Sequence, residues 1–494
     1  MFRARLPLLI LLAAWLLFLA VQRGDEFDEA EHCHVAWMMG RMHEQPLRDF
    51  FQHHQPVLWD LLKTYYIAGG DGPEVMFFGR ALVVACGFAF AVGAFWLARN
   101  WAVGNAGARL PGLLGGLLAV APVLFMSMTL RTVLVIRPET VGLPLSVLAL
   151  ACWTWPGAAA RKWGGVGRGL LSGVLFGAAI YASPRFALLS GAFLLLPSDR
   201  GRLFALEIRP LLAAVAGAVA FVAGYQVLTT GGFSNLYFNL EFSSITYSVG
   251  DAHFRPMPQL FVFAGELILA GAWVFLRLDR LGRRRFLVQG AYLLLVTAAS
   301  LRMAWPTPYP QNFIAVAVWA GTMWACAAGR MEAPATPNRS AAAPRWALVA
   351  AGVCLLLTLR DVVARESILA RVQQKHAVLA LLRPGERVLL AAVFHPICAD
   401  DATYYGNPIV DDDDHLGKAV PLAQQRHWDL PDCDYLRDIL DRKPTLVDDY
   451  LLRAMPERER ARYREVLDRE YTLVEPFPAY HRCFRRNERV ALER

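Results

Sequence analysis

At 494 residues the chain is long enough for several domains, but 56% of it is hydrophobic and its mean hydropathy is +0.34. An average soluble domain is about 45–50% apolar. The net charge of +8 divides unevenly: residues 1–385 hold 33 Lys and Arg against 20 Asp and Glu, and residues 386–494 hold 17 against 22. The basic excess lies among the apolar runs, where it sets membrane topology, so nucleic-acid binding is a poor account of it.

The N-terminal Met1-Phe-Arg-Ala-Arg leads into an apolar run from Leu6 to Val21. It reads as an uncleaved first span, because small residues are badly placed for cleavage before Gly24. Further runs predict spans near 75–98, 109–127, 139–155, 168–182, 185–197, 210–228, 259–277, 286–302, 312–328 and 345–360, about eleven with the first. The runs 168–182 and 185–197 are too short to cross a bilayer upright, and Tyr181-Ala-Ser-Pro-Arg185 between them suggests a broken, partly re-entrant pair.

Basic residues recur in alternate loops: Arg3 and Arg5; Arg99 and Arg109; Arg161, Lys162 and Arg168; Arg200, Arg202 and Arg209; Arg277 to Arg285; Arg330 to Arg345. By the positive-inside rule these loops and the N-terminus are cytoplasmic, which places 22–74, 128–138, 229–258, 303–311 and the C-terminal region outside. The localisation expected is therefore a multi-pass protein of the plasma (inner) membrane. The segment 330–344 is a linker by composition.

From Glu386 the pattern becomes that of a small α/β domain. Arg387 to Phe394 predicts a buried strand, Pro456 to Tyr471 a charged helix with Val466 and Leu467 on its apolar face, and Thr472–Glu475 and Tyr480–Phe484 closing strands. The expected fold class is an all-α polytopic membrane protein with a C-terminal α/β extracytoplasmic domain. Its domains are 1–365, including the first outer loop 22–74 with interfacial helices, and 366–494. Cys33, Cys398, Cys433 and Cys483 fall on the oxidising side, with three disulfide pairings open. No cysteine pair has metal-ligand spacing.

Three places carry ionisable residues at the outer ends of spans. Gly24-Asp-Glu-Phe-Asp-Glu-Ala-Glu-His-Cys-His34 crowds five carboxylates into seven residues, which is costly unless a cation or a proton transfer uses them. A solvated acidic loop is the bland reading. The loop continues into Arg48-Asp-Phe-Phe-Gln-His-His-Gln-Pro56, aromatic and His-rich, which suits a segment lying over a cavity. Arg137-Pro-Glu139 opens the fourth span, where Glu139 either caps the helix or faces that cavity. Arg185 and Arg302 either snorkel toward headgroups or hold a phosphate. The run Asp411–Asp414 reads as a solvated loop in preference to a cation site.

Phe27-Asp-Glu-Ala-Glu-His-Cys-His-Val-Ala-Trp37, Arg137-Pro138-Glu139 and the Pro306 to Gln311 turn, in that order and on that side of the membrane, resemble elements of the GT-C superfamily of glycosyltransferases. The bacterial branch with lipid A aminoarabinose transferases and protein O-mannosyltransferase-like enzymes is the most similar. The resemblance covers the whole chain. It implies inverting transfer of a sugar from a polyprenyl-phosphate donor to a glycolipid such as a lipid A core, a polysaccharide or a protein. Asp28 would be the general base, with Glu29 and Glu139 positioning acceptor or sugar, although a second pair, Asp25-Glu26, leaves that assignment open. Arg137, Arg185 and Arg302 would hold the phosphate, and His53, His54, Tyr309 and Gln311 would line the substrate cavity. No cofactor or metal is expected, although a divalent metal is compatible. A flippase or transporter of lipid-linked substrates and a surface-polysaccharide polymerase or ligase are the competing readings. Against the transporter, the charges cluster at span mouths and not at the midplane.

Overall fold

The computed structural model describes residues 27–52, 54–102, 134–155, 164–196, 207–230, 258–278, 280–303, 310–328, 367–391, 394–405, 415–449, 457–474 and 482–487, with scattered positions elsewhere. The expected spans 5–21, 109–127 and 345–360 fall outside these stretches, apart from isolated helical positions, as do the linker 330–344 and the Asp411–Asp414 run. The helices in chain order are α1 (Phe27–Trp37), α2 (Val57–Ile67), α3 (Val75–Ala102), α4 (Pro138–Trp153), α5 (Gly164–Ala182), α6 (Ile208–Tyr225), α7 (Pro258–Arg277), α8 (Arg280–Met303), α9 (Ile314–Ala328) and α10 (Ile368–Leu379). Beyond α10 come β1 (Arg387–Leu389), β2 (Asp400–Asp401), α11 (His415–Gln425), α12 (Tyr435–Arg442), β3 (Leu446–Asp448), α13 (Glu457–Glu470), β4 (Tyr471–Val474) and β5 (Cys483–Arg486).

The chain divides into two compact units. The first holds residues 81–233 and 254–365 with the N-terminal twenty residues, and the second holds 21–80, 234–253 and 366–494. The first outer loop, grouped by sequence with the membrane part, thus clusters with the C-terminal residues.

In the first unit, Val75–Leu97, Gly165–Ala182, Ile208–Leu228 and Gly282–Met303 are long and apolar enough to cross a membrane. Helix α5 starts at Gly164, four residues before the expected position, which makes it long enough to span. A glycine every fourth residue, at 165, 169, 173 and 177, lets it lie against α6 at backbone contact: a Cβ at Gly169 or Gly173 would overlap the carbonyl oxygens of Pro210 or Ala214. Small-residue stripes of this kind drive helix pairing in lipid, where apolar burial alone offers little. After α5 the chain breaks as expected, into a 3-10 helix (Pro184–Leu189) and one short turn (Ala192–Leu195). Pro184 cannot continue the hydrogen-bond ladder of the preceding helix. Helix α9 is buried along nearly all its described length around Trp319 and Met323. By contrast α6 and α8 leave Leu212, Val215, Val219, Leu287, Leu294 and Leu295 exposed, a pattern that suits a lipid-facing surface.

The second unit contains a five-stranded mixed sheet of order β2-β1-β3-β5-β4. The β2-β1-β3 pairs are parallel and the β3-β5-β4 pairs antiparallel. Its core gathers Leu416 and Val420 of α11, Leu436 and Ile439 of α12, and Tyr463, Val466 and Leu467 of α13, joined by Phe51, Phe238, Phe242 and Tyr405. Helix α13 and strand β4 appear where the charge pattern put them. The strand expected over Arg387–Phe394 stops at Leu389. Beyond it the Ala391 N–H is taken by the Asp448 carboxylate, and Ala391 O accepts the amides of Phe394 and His395, so the chain turns while its described apolar residues stay buried. Strand β5 starts at Cys483, later than expected, pairing Phe484 with Val447 and Leu473. All seven described cysteines are free thiols.

Candidate functional site

Helix α1 begins with Asp28 and Glu29 in its first turn, where carboxylates complement the helix dipole. Helix α1 is packed inside the second unit, and every described side chain from Glu29 to Trp37 is buried. Asp28, half-buried, is the one described side chain of the helix that keeps access to its surroundings.

Burying so many polar groups costs about 1–3 kcal/mol for each one left unpaired, so their partners decide whether the helix holds. Arg80 donates to Glu29 Oε2 at 2.6 Å, an ion pair with both side chains 4% exposed or less. Gln52 Nε2 donates to Glu31 Oε1 at 2.7 Å, and Trp59 Nε1 donates to His32 Nδ1 at 3.1 Å. His54, half-buried, sets its ring edge-on to His32 with centroids 5.4 Å apart. His34 donates from Nδ1 to the Ile397 carbonyl at 2.6 Å, while its Nε2 lies 2.8 Å from Asp401 Oδ2.

The last contact belongs to a buried trio. His395 Nε2 is 3.2 Å from Asp401 Oδ1, and the two histidine rings are 4.0 Å apart. Burial alone would lower the pKa of His34, but the Asp401 carboxylate and the two hydrogen bonds outweigh it and raise the value. Burial, then the charge on His34, pushes His395 down to about 4. Burial opposes ionisation of Asp401, yet the two histidines hold its carboxyl well below the usual range. Burial also pushes the Cys398 thiol up to about 12, so it is an inert neighbour, not a nucleophile.

A second polar cluster belongs to the first unit. Arg137 is extended at the N-cap of α4 and Pro138 takes the first helical position, as the sequence predicts. Glu139 is buried, accepts the Ser183 hydroxyl at 3.2 Å and pairs with Arg185. The break after α5 therefore serves the pair: Ser183 and Arg185 both come from it. A Cβ at Gly142 would collide with the Phe186 ring, so that glycine leaves the room in which the broken segment packs onto α4. The Arg185 side chain keeps 19% of its surface exposed, while Glu139 keeps 5%.

The residues predicted from sequence thus fall into two groups, Asp28, Glu29 and His54 in one unit and Arg137, Glu139 and Arg185 in the other. Arg302 is exposed at the end of α8 and has no ion pair among the described residues. His53, Tyr309 and the alternative pair Asp25-Glu26 lie outside the described residues. Gln311 is in the 3-10 turn Pro310–Phe313, with its side chain outside the description. Sequence reasoning missed Arg80, Gln52, His395 and Asp401. The His32-Cys-His34 spacing was a usable signal, but its partners lie up to 367 residues away.

No family model matches the chain, and no curated protein matches it by sequence. The solved structures do. The crystal structure of ArnT from Cupriavidus metallidurans bound to undecaprenyl phosphate aligns over 97% of this chain and 98% of its own, with a TM-score of 0.61 and 14% identity. The apo state of the same protein aligns over 98% of both chains with a TM-score of 0.56 at 14% identity. The chain has the GT-C fold. The archaeal oligosaccharyltransferase AglB from Archaeoglobus fulgidus, in complex with an inhibitory peptide and a dolichol-phosphate, is more distant, at 10% identity and a TM-score of 0.49 over 89% of this chain and 69% of its own.

Proposed function

We propose that this chain is a membrane glycosyltransferase that moves a sugar, with inversion, from a polyprenyl-phosphate donor to an acceptor at the outer face of the membrane. The observation that carries the reading is the correspondence of nearly the whole chain with a protein whose structure holds undecaprenyl phosphate. Asp28 supports it, as the one described carboxylate on α1 left with access when the polar side chains after it are buried.

Sugar transfer to a hydroxyl asks for two things. A carboxylate must orient the acceptor and take its proton as the anomeric bond forms, and cations must hold the phosphate whose charge grows as it leaves. Asp28 is assigned the first task. Glu29 is closed off by Arg80 and serves to hold the helix that presents Asp28. Arg137 and Arg185 are assigned the second task, since a guanidinium has five donors and Arg185 can keep Glu139 with one while offering others to phosphate oxygens. Glu139 then positions Arg185, and does not itself react. The acceptor is a glycolipid, a polysaccharide or a protein, and no nucleotide is required.

The test is transfer by the purified full-length chain, using polyprenyl-phosphate sugars as donors, beside mass spectrometry of envelope glycans from cells with and without it. Asp28→Asn is expected to lower transfer by at least about 100-fold while leaving thermal unfolding unchanged. Full activity of that variant would remove Asp28 from the reaction. An unchanged glycan profile, together with no turnover of any polyprenyl-phosphate sugar, would reject the glycosyltransferase reading.

A further inference from the structure

The trio of His34, His395 and Asp401 plays no part in the reaction assigned above. Its ligand-type atoms, one from each residue, all lie within 4.8 Å of one another. His34 and His395 are fully buried and the Asp401 side chain is 7% exposed. We propose that it is a binding site for a divalent transition-metal cation of the zinc class, which ties helix α1 to strand β2 and the loop before it.

The argument begins with proton inventory. A backbone carbonyl only accepts, so His34 Nδ1, 2.6 Å from Ile397 O, carries the ring proton. In the neutral ring the Nε2 lone pair then faces Asp401 Oδ2 at 2.8 Å. Two acceptors this close need a cation between them, either a proton or a metal ion. A proton on His34 satisfies that pair alone. Asp401 Oδ1 and His395 Nε2, buried and 3.2 Å apart, make a second contact, in which the ring proton sits on Nε2 because the Ile397 N–H donates to Nδ1. A metal ion would take up all three side chains.

The spacing suits such an ion. Tetrahedral zinc with bonds of about 2.0–2.1 Å places its ligand atoms roughly 3.3 Å from each other, close to the 2.8 and 3.2 Å found here. Two imidazoles and one carboxylate favour zinc and its neighbours over calcium or magnesium, which prefer all-oxygen shells. The Ile397 carbonyl on His34 Nδ1 is the outer contact that commonly fixes the tautomer of a metal-binding histidine. Ile397 itself sits at φ 75°, a left-handed conformation that a β-branched residue resists. Its C=O serves one ring and its N–H the other, donating to His395 Nδ1 at 3.1 Å. Metal binding through His395 Nε2 moves that ring's proton to Nδ1, where it would face the Ile397 N–H, so the ring must turn and the metal–nitrogen bond must outweigh the contacts given up. Since the trio is closed to solvent, its task is to fix α1, and with it Asp28 six residues upstream. It does not activate water.

The full-length chain, purified without a histidine tag or chelator, is expected to carry about one zinc-class ion by elemental mass spectrometry. After stripping, Co2+ should restore visible absorption of a nitrogen- and oxygen-bound, low-symmetry ion, and Zn2+ should raise the melting temperature. His395→Ala and Asp401→Asn should each weaken Zn2+ binding by at least about 100-fold. His376→Ala, an exposed histidine paired with Glu74, should leave it unchanged. If the native stripped chain shows no stoichiometric uptake, no Co2+ spectrum and no response of its melting to Zn2+, the proposal fails and a shared proton holds the trio. That comparison uses the unaltered chain, so misfolding of a variant does not affect it.

Discussion

Two acid–arginine pairs, Glu29–Arg80 in one unit and Glu139–Arg185 in the other, look alike in sequence terms and differ in surroundings. The first is closed, with side-chain exposures of 0% and 4%; in the second the arginine keeps 19%. A buried ion pair gains little over an apolar pair of the same shape, but losing one partner leaves an uncompensated charge in a low-dielectric interior. The closed pair therefore belongs to the architecture that holds α1. The open pair can keep its glutamate and still present charge to an anion. Burial, more than residue type, separates the two roles.

The comparison can be broken most sharply at Arg80. Arg80→Ala is expected to destabilise the protein by about 3–5 kcal/mol, read as a lowered unfolding midpoint, and the double change Glu29→Leu with Arg80→Leu should recover most of that loss. If Arg80→Ala melts like the native chain, the closed pair is not structural. At Arg185 the effect should move from stability to rate. Arg185→Gln should lower transfer about 100-fold with a smaller change in melting than Arg80→Ala, and Arg185→Lys should restore part of the rate because it keeps the charge but not the fork. Equal losses of melting temperature in the Arg80 and Arg185 variants would erase the distinction. The smallest effect is expected at the exposed Glu74–His376 pair, whose side chains are 41% and 49% exposed. His376→Ala should shift stability by no more than about 0.5 kcal/mol, and a larger shift in chemical unfolding would show that exposure is the wrong guide.

Much of the frame was legible because it rests on local signals. Pro138 opens α4, Ser183-Pro184 ends α5, and the charged stretch before Tyr471 forms α13 with Val466 and Leu467 turned inward. The character of α1 was not legible in the same way. A stretch with five carboxylates and two histidines reads as solvated when taken alone, because burial becomes affordable only with Arg80, Gln52, Trp59 and Asp401, drawn from 21 to 367 residues away. The strand expected over Arg387–Phe394 was overextended for a related reason: its described apolar residues are buried, but the Asp448 side chain takes the amide that a neighbouring strand would have taken. Arg185 could be singled out from sequence, whereas its pairing with Glu139 could not, since it depends on how the broken segment folds back onto α4.

The glycine face of α5 constrains the gene as well as the fold. Every amino-acid replacement reachable from a glycine codon by one base change adds a Cβ, and at Gly169, Gly173 and Gly217 that atom would land on a backbone oxygen of the facing helix. Backbone cannot step aside as a side-chain tip can. These positions admit silent changes and little else, so a coding sequence drifting freely over the lipid-facing leucines would stay pinned at the first two bases of every fourth codon along this face.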